Sequence, residues 1–305
     1  MTQQTVAPEA TRANGTTHRT HAPHRRRQLD TPWWRKALKY LALTLFAVFW
    51  VGVPIWLVLV NSFKTEGEAA LLSLSLPTEW SLVENYTAVF TRGNYLAGLR
   101  NSLLVAVPTV FVVLLLGSMA SWAYARSGRR STQVFFYITS LSILLPPAVI
   151  PTIFLLDQIG LDGTTTGYAL MMMGSRMGLV VFLTTGFVRG LPIELEEAAA
   201  IDGATRLRTY FSVLLPMLRS ILLVGGVLIV IVVWNDFFFA QLMLKSSANA
   251  TLPLTLYSFA STSISGLRWN LVFAHLVMTS APLVILYLLA QRRILAGLTE
   301  GGLKG

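Results

Sequence analysis

The chain has 305 residues, is 54% hydrophobic and 12% charged, and carries a net charge of +10 with a mean hydropathy of +0.60. Soluble domains are about one-quarter charged, so this composition excludes an ordinary soluble fold and points to a polytopic membrane protein. The absence of cysteine excludes disulfides, cysteine-based metal sites and thiol catalysis, and basic residues clustered between apolar runs signal topology rather than nucleic-acid binding.

Residues 1–36 are rich in Thr, Ala, His and Arg, show no apolar periodicity, and read as a disordered basic tail. Six apolar runs follow, at about 37–60, 102–124, 134–156, 168–187, 221–240 and 271–290. Each approaches the ~20 residues that cross a ~30 Å hydrocarbon layer as a helix. Lipid satisfies no free backbone groups, and the period-2 alternation of a membrane barrel is absent. The expected fold is therefore all-α: six transmembrane helices within 37–290 and a C-terminal tail over 291–305.

Lys and Arg set the orientation. With the N-terminus in the cytoplasm, eighteen basic residues face that side and five (Lys64, Arg92, Arg100, Lys245, Arg268) face the other. Both termini are therefore expected in the cytoplasm. The external segment 61–100 carries Trp80, Tyr86, Phe90 and Tyr95, which fit an interfacial, partly helical element. Asn85 opens an Asn-Tyr-Thr glycosylation sequon. Pro146, Pro147 and Pro151 are expected to interrupt the third span, as broken helices do around transport paths or packing kinks.

Arg176 lies inside the fourth span, where a charge faces protein or water and marks a candidate solute path. Trp234, Asn235 and Asp236 end the fifth span. They could stack on and hydrogen-bond a polar solute, or serve as interfacial caps and anchors. Gly225-Gly226 suits close helix approach, and His275 reads as a packing residue. No metal-ligand cluster and no G-x-x-x-x-G-K-[ST] loop occurs, so this chain is not expected to bind or hydrolyse ATP itself.

The loop after the fourth span, about 189–219, is the polar exception. Pro192 suits the first position of a helix, and Glu194, Glu196 and Glu197 complement the dipole of its first turns. Ala198, Ala199 and Ala200 leave a smooth face. Gly203 can take the positive φ that ends the helix, and Thr205 can cap a second one. That second helix would keep Arg206 and Arg208 wet, turn Tyr210, Phe211 and Leu214 to an apolar side, and be interrupted at Pro216.

Glu197-Ala198-Ala199, then Gly203, then Val213-Leu214-Leu215-Pro216 resembles the EAA motif of permease subunits in binding-protein-dependent ABC importers, with Val213 in place of the usual Ile. Asn101-Ser102, Trp234-Asn235-Asp236, Thr251-Leu252-Pro253 and the Gln291-Arg292-Arg293 to Gly305 ending resemble the carbohydrate branch, of the maltose-permease second-subunit type. The likeness spans about 37–305. It implies a non-enzymatic permease for a sugar or oligosaccharide in the bacterial inner membrane. Its implied partners are a homologous second permease, a pair of cytoplasmic ATP-binding subunits that would hold the ATP and Mg²⁺, and an extracytoplasmic solute-binding protein. It places Glu197, Ala198, Ala199, Asp202, Gly203, Ala204 and Pro216 in a coupling helix that docks on the ATPase. Another polar solute, such as a glycerol phosphate or a polyamine, or an ion-coupled secondary transporter, is the alternative reading.

Overall fold

The computed structural model describes residues 32–261 and 267–302, with side chains through Arg292. Among the described residues every regular element is helical. The expected N-terminal tail falls almost wholly outside them. The chain divides into a short unit ending at Val51 and a larger unit beginning at Gly52. In the first, α1 (Trp33–Ala47) buries none of its residues and is followed by a π-helical stretch.

The larger unit contains α2 (Val53–Asn61), α3 (Glu66–Ala70), α4 (Leu82–Arg92), α5 (Tyr95–Arg126), α6 (Arg130–Leu141) and α7 (Val149–Gln158). It continues with α8 (Thr165–Arg189), α9 (Glu194–Ile201), α10 (Arg206–Thr209), α11 (Leu215–Trp234), α12 (Phe238–Met243), α13 (Leu252–Ser261) and α14 (Trp269–Gly302). Among the described residues five stretches are long and apolar enough to cross a membrane: Trp33–Asn61, Tyr95–Arg126, Thr165–Arg189, Arg206–Trp234 and Trp269–Arg292.

The third expected span is two shorter helices, α6 and α7, parted at Ser142–Ala148. Pro146 and Pro147 lack the N–H a helix needs and push the preceding residue out of helical geometry. Pro151 causes no break, because it sits in the first turn of α7, where no N–H is required. The fifth span ends at Trp234, earlier than expected. The sixth helix runs past the expected start of the C-terminal tail to Gly302.

Packing follows a stripe of small residues on α5. Gly98, Ser102, Ala106, Thr109, Val113, Gly117 and Ser121 are buried, while Leu103, Val107, Phe111 and Leu116 remain exposed. Small side chains let helices approach closely where the hydrophobic effect does not drive association. Gly117 packs on Val180, and four residues further along both helices Ser121 Oγ lies 2.5 Å from Thr184 Oγ1. The equal offsets make α5 and α8 parallel, so the chain between them returns along the length of the pair. On α11, a Cβ at Gly226 would stand 3.1 Å from Leu114, while Gly225 has ordinary room; close approach is needed at the second glycine of the pair.

The segment joining α2 to α5 folds over a buried polar network. The buried Lys64 ammonium donates to Asn61 Oδ1 (3.2 Å), the Ser73 carbonyl (2.8 Å) and Ser73 Oγ (2.8 Å). Asn85 Nδ2 donates to the carbonyls of Ser62 (3.0 Å) and Lys64 (2.9 Å), and its Oδ1 accepts from Asn270 Nδ2 at 2.8 Å. Asn85 is 1% exposed and both ends of its amide are engaged, so the sequon offers no accessible acceptor. Of the four aromatics expected at the interface, Trp80 and Phe90 are exposed, Tyr86 is partly buried, and Tyr95 is buried.

Candidate functional site

The loop between α8 and α11 is a structured element. Helix α9 begins at Glu194 with Ile193 as its N-cap, so Pro192 lies one residue ahead of the cap rather than at the first helical position. Glu194, Glu196 and Glu197 occupy the first turn as expected. The helix ends in a paired cap. The Gly203 N–H bonds the Ala200 carbonyl at 3.0 Å, and the Ala204 N–H bonds the Ala199 carbonyl at 2.9 Å. This Schellman geometry requires the left-handed φ of +76° found at Gly203. Open space surrounds the position where a Cβ would stand, so backbone conformation alone selects glycine. Thr205 Oγ1 then accepts from the Arg208 N–H at 3.4 Å and starts α10.

Two expectations for the second helix change. Pro216 does not interrupt it: a π-helical turn over Tyr210–Leu214 leads straight into α11, and Pro216 sits in the first turn of that helix. The wider π turn gives the proline ring a place without ending the run. Phe211 is half exposed rather than turned inward, whereas Tyr210 and Leu214 are buried.

Neighbouring glutamates on α9 have different environments. Glu196 accepts from Arg126 at 2.8 Å and from Trp122 Nε1 at 2.8 Å, and Arg126 also donates to the Leu191 carbonyl at 3.0 Å. Trp122 stacks on Tyr210, whose hydroxyl lies 2.7 Å from Ser118 Oγ. Residues of α5 thus fasten both ends of the loop. Sequence reading grouped Glu196 with its neighbours as a helix-start acid; nothing local marked its partners, which lie about seventy residues earlier (|i−j| = 70 and 74). Glu197 is exposed and makes no ion pair among the described residues. Ala198, Asp202 and Gly203 are also exposed, Ala199 and Ala204 are half-buried, and Ile201 is 86% exposed. The loop therefore presents a rigid, small-residue surface whose exposed carboxylates, Glu194, Glu197 and Asp202, form no ion pair among the described residues, with Ile201 beside them.

The candidate path residues have different surroundings. Trp234 is buried and donates Nε1 to the Thr279 carbonyl at 3.1 Å. Asn235 is exposed and bonds back to the Ile231 carbonyl at 2.8 Å. Asp236 Oδ2 accepts from the Tyr168 hydroxyl at 2.5 Å and from the Ala240 N–H at 3.0 Å, tying α8 to the start of α12. Tyr168→Phe should lower the thermal midpoint by an amount equivalent to about 1–2 kcal/mol, the worth of a hydrogen bond to a charged acceptor at a packed helix end. Nearby, Lys245 pairs with Asp162, whose hydrogen bond and charge hold the ammonium above its ordinary pKa. His275 is fully buried against Tyr95 and Phe259, as a packing residue is. Arg176 sits mid-way along α8, half-buried, with an Nε that has no hydrogen-bond partner.

A family model described as the binding-protein-dependent transport system inner membrane component matches residues 31–299. A starch degradation products transport system permease protein of Thermoanaerobacterium thermosulfurigenes is 32% identical, over 88% of this chain and 96% of that protein. An inner membrane ABC transporter permease of Escherichia coli is 33% identical, over 87% and 95%. A diacetylchitobiose uptake system permease protein of Streptomyces coelicolor is 30% identical, over 87% and 88%. Among solved structures, a chain of a bacterial ABC transporter involved in import of the acidic polysaccharide alginate shares the fold. Its TM-score is 0.74 at 20% identity, covering 85% of this chain and 96% of that one.

Proposed function

The chain belongs to the family of binding-protein-dependent transport system inner membrane components, and from that membership we infer that it is the permease subunit of an ATP-driven importer for a sugar or oligosaccharide. It is a multi-pass membrane protein. The relatives named for starch degradation products and diacetylchitobiose support the solute class. ATP hydrolysis falls to separate cytoplasmic subunits, a second permease completes the path, and a solute-binding protein delivers the sugar from outside.

The observation that carries this reading is the Glu197-to-Pro216 loop. It is short, capped where α9 ends and α10 begins, fastened to α5 and exposed along the small-residue face of α9. A displacement applied to such an element reaches the spans instead of being absorbed by bending. Glu197, Ala198, Ala199, Asp202, Gly203 and Ala204 form the coupling surface, and Pro216 seats the loop at the start of α11. Of the path candidates, Arg176 has side-chain capacity to spare; Trp234 and Asp236 are already engaged within the chain.

Six crossings with both termini in the cytoplasm fit this reading. Together α6 and α7 measure roughly 33 Å at the helical rise, enough for one broken crossing. The parallel α5 and α8 require such a return. Charge agrees: six crossings place eighteen basic residues inside and five outside, whereas omitting α6–α7 gives thirteen against ten.

Co-purification followed by an ATPase assay in lipid tests the assignment. An ATP-binding subunit should accompany the chain, and its turnover should rise when solute-loaded binding protein is added. Recovery of the chain without any ATP-binding subunit would overturn the reading.

A further inference from the structure

Arg176 is the twelfth residue of the 25-residue α8, about 17 Å along the axis from one end and about 20 Å from the other. Its charge therefore lies near the middle of the bilayer, where an ionised group is costly unless paired or wet. Its Nε is buried without a hydrogen bond, and among the described residues no carboxylate pairs with the guanidinium.

The sequence shows that this chain has no carboxylate to offer at that depth. None of its 14 acidic residues falls within the five candidate spans, and in the broken crossing Asp157 stands in the last turn of α7, at a span end. Asp236, two residues past α11, accepts from Tyr168 and the Ala240 N–H through Oδ2 and forms no ion pair with Arg176. Glu9, Asp30 and Glu300 belong to the chain ends. Length does not explain the residue either: the ~17 Å to the nearer helix end exceeds the reach of an arginine side chain to the interface.

We propose that Arg176 is completed in the working transporter by a carboxylate from outside this chain, supplied either by an acidic residue of the second permease or by an acidic sugar in transit. The inference rests on the permease reading. Both sources share the same chemistry, because a guanidinium fork matches a carboxylate in bidentate geometry and stays charged throughout.

The test uses the complete transporter in lipid nanodiscs, as wild type, R176Q, R176K and R176M. Thermal midpoints are measured alone, with trigalacturonate, and with its neutral methyl ester. If the solute supplies the carboxylate, the acid stabilises wild type and the ester does not. R176Q and R176M then bind the acid about tenfold more weakly or worse, with R176K intermediate. If the second permease supplies it, R176Q and R176M lower the midpoint without solute, R176K restores most of it, and acid and ester act alike. R176M removes the charge without leaving an unbonded amide; should R176Q fail to assemble, R176M alone decides between the outcomes. An R176M protein as stable as wild type and unchanged in its response to the acid would overturn the proposal. Absence of an ATP-binding subunit sinks the permease reading separately and leaves these midpoints interpretable.

Discussion

Glu197→Lys should reduce solute-stimulated ATP turnover and uptake by about thirtyfold or more while leaving the thermal midpoint of the chain within a degree or two of wild type. The magnitude follows from reversing a charge that meets a partner in a desolvated interface, where losing a close pair costs about 2–5 kcal/mol. The nearly unchanged midpoint follows from the exposed position of Glu197, whose carboxylate makes no ion pair among the described residues and meets the α9 dipole only through screening solvent. Glu196→Ala is the contrasting control. It releases Arg126 and Trp122 together and should cost about 2–3 kcal/mol of stability, with coupling impaired because the loop loses its hold on α5. ATPase and uptake measured alongside thermal unfolding separate the two. If Glu197→Lys turns over and imports as wild type does, the proposed joint is wrong.

Gly178→Val should be the most damaging single change in the packed spans. A Cβ on Gly178 would occupy the space of the Thr139 carbonyl oxygen and Ser142 Oγ. One of these atoms is backbone, so no rotamer change relieves the overlap. Separating α8 from the end of α6 should cost about 3 kcal/mol, at the upper end of overpacking penalties. It should also disturb the break that leads into α7. Poor recovery in the membrane fraction and a sharply lowered midpoint are the expected readouts. A near-normal yield and midpoint would show that α6 docks elsewhere.

Much of this arrangement was readable from local chemistry. The glycine at 203, the threonine at 205 and the acids at 194, 196 and 197 each act through neighbours a few residues away, so composition and spacing announced them. The division of the third span was likewise written in Pro146 and Pro147. Features that depend on distant neighbours were not legible. Glu196 and Glu197 are chemically identical, and only the position of α5 distinguishes the anchored one from the free one. Trp234 and Asp236 carried the residue types of a sugar site, yet tertiary packing engages them with Thr279 and Tyr168. Pro216 signalled a break that the π turn before it absorbs, and no simple periodicity reveals a π turn. Arg176 was visible as a charge out of place, but its lack of a partner emerged only with the structure.

The Asn85–Asn270 hydrogen bond has a consequence for biosynthesis. Its two residues are separated by 185 positions, and the nearby Glu66–Arg268 pair by 202. At translation rates of about 5–20 residues per second, Asn85 is made roughly 10–40 seconds before its partner exists. During that interval the segment after α2 has its local Lys64–Ser73 contacts but not its closing clasp. On the proposed extracytoplasmic side it must wait, hydrated, until the last span is inserted. A ribosome stalled before Asn270 would therefore hold a nascent permease whose outer face is still open to proteases and chaperones. Completion of α14 is the event that shuts it.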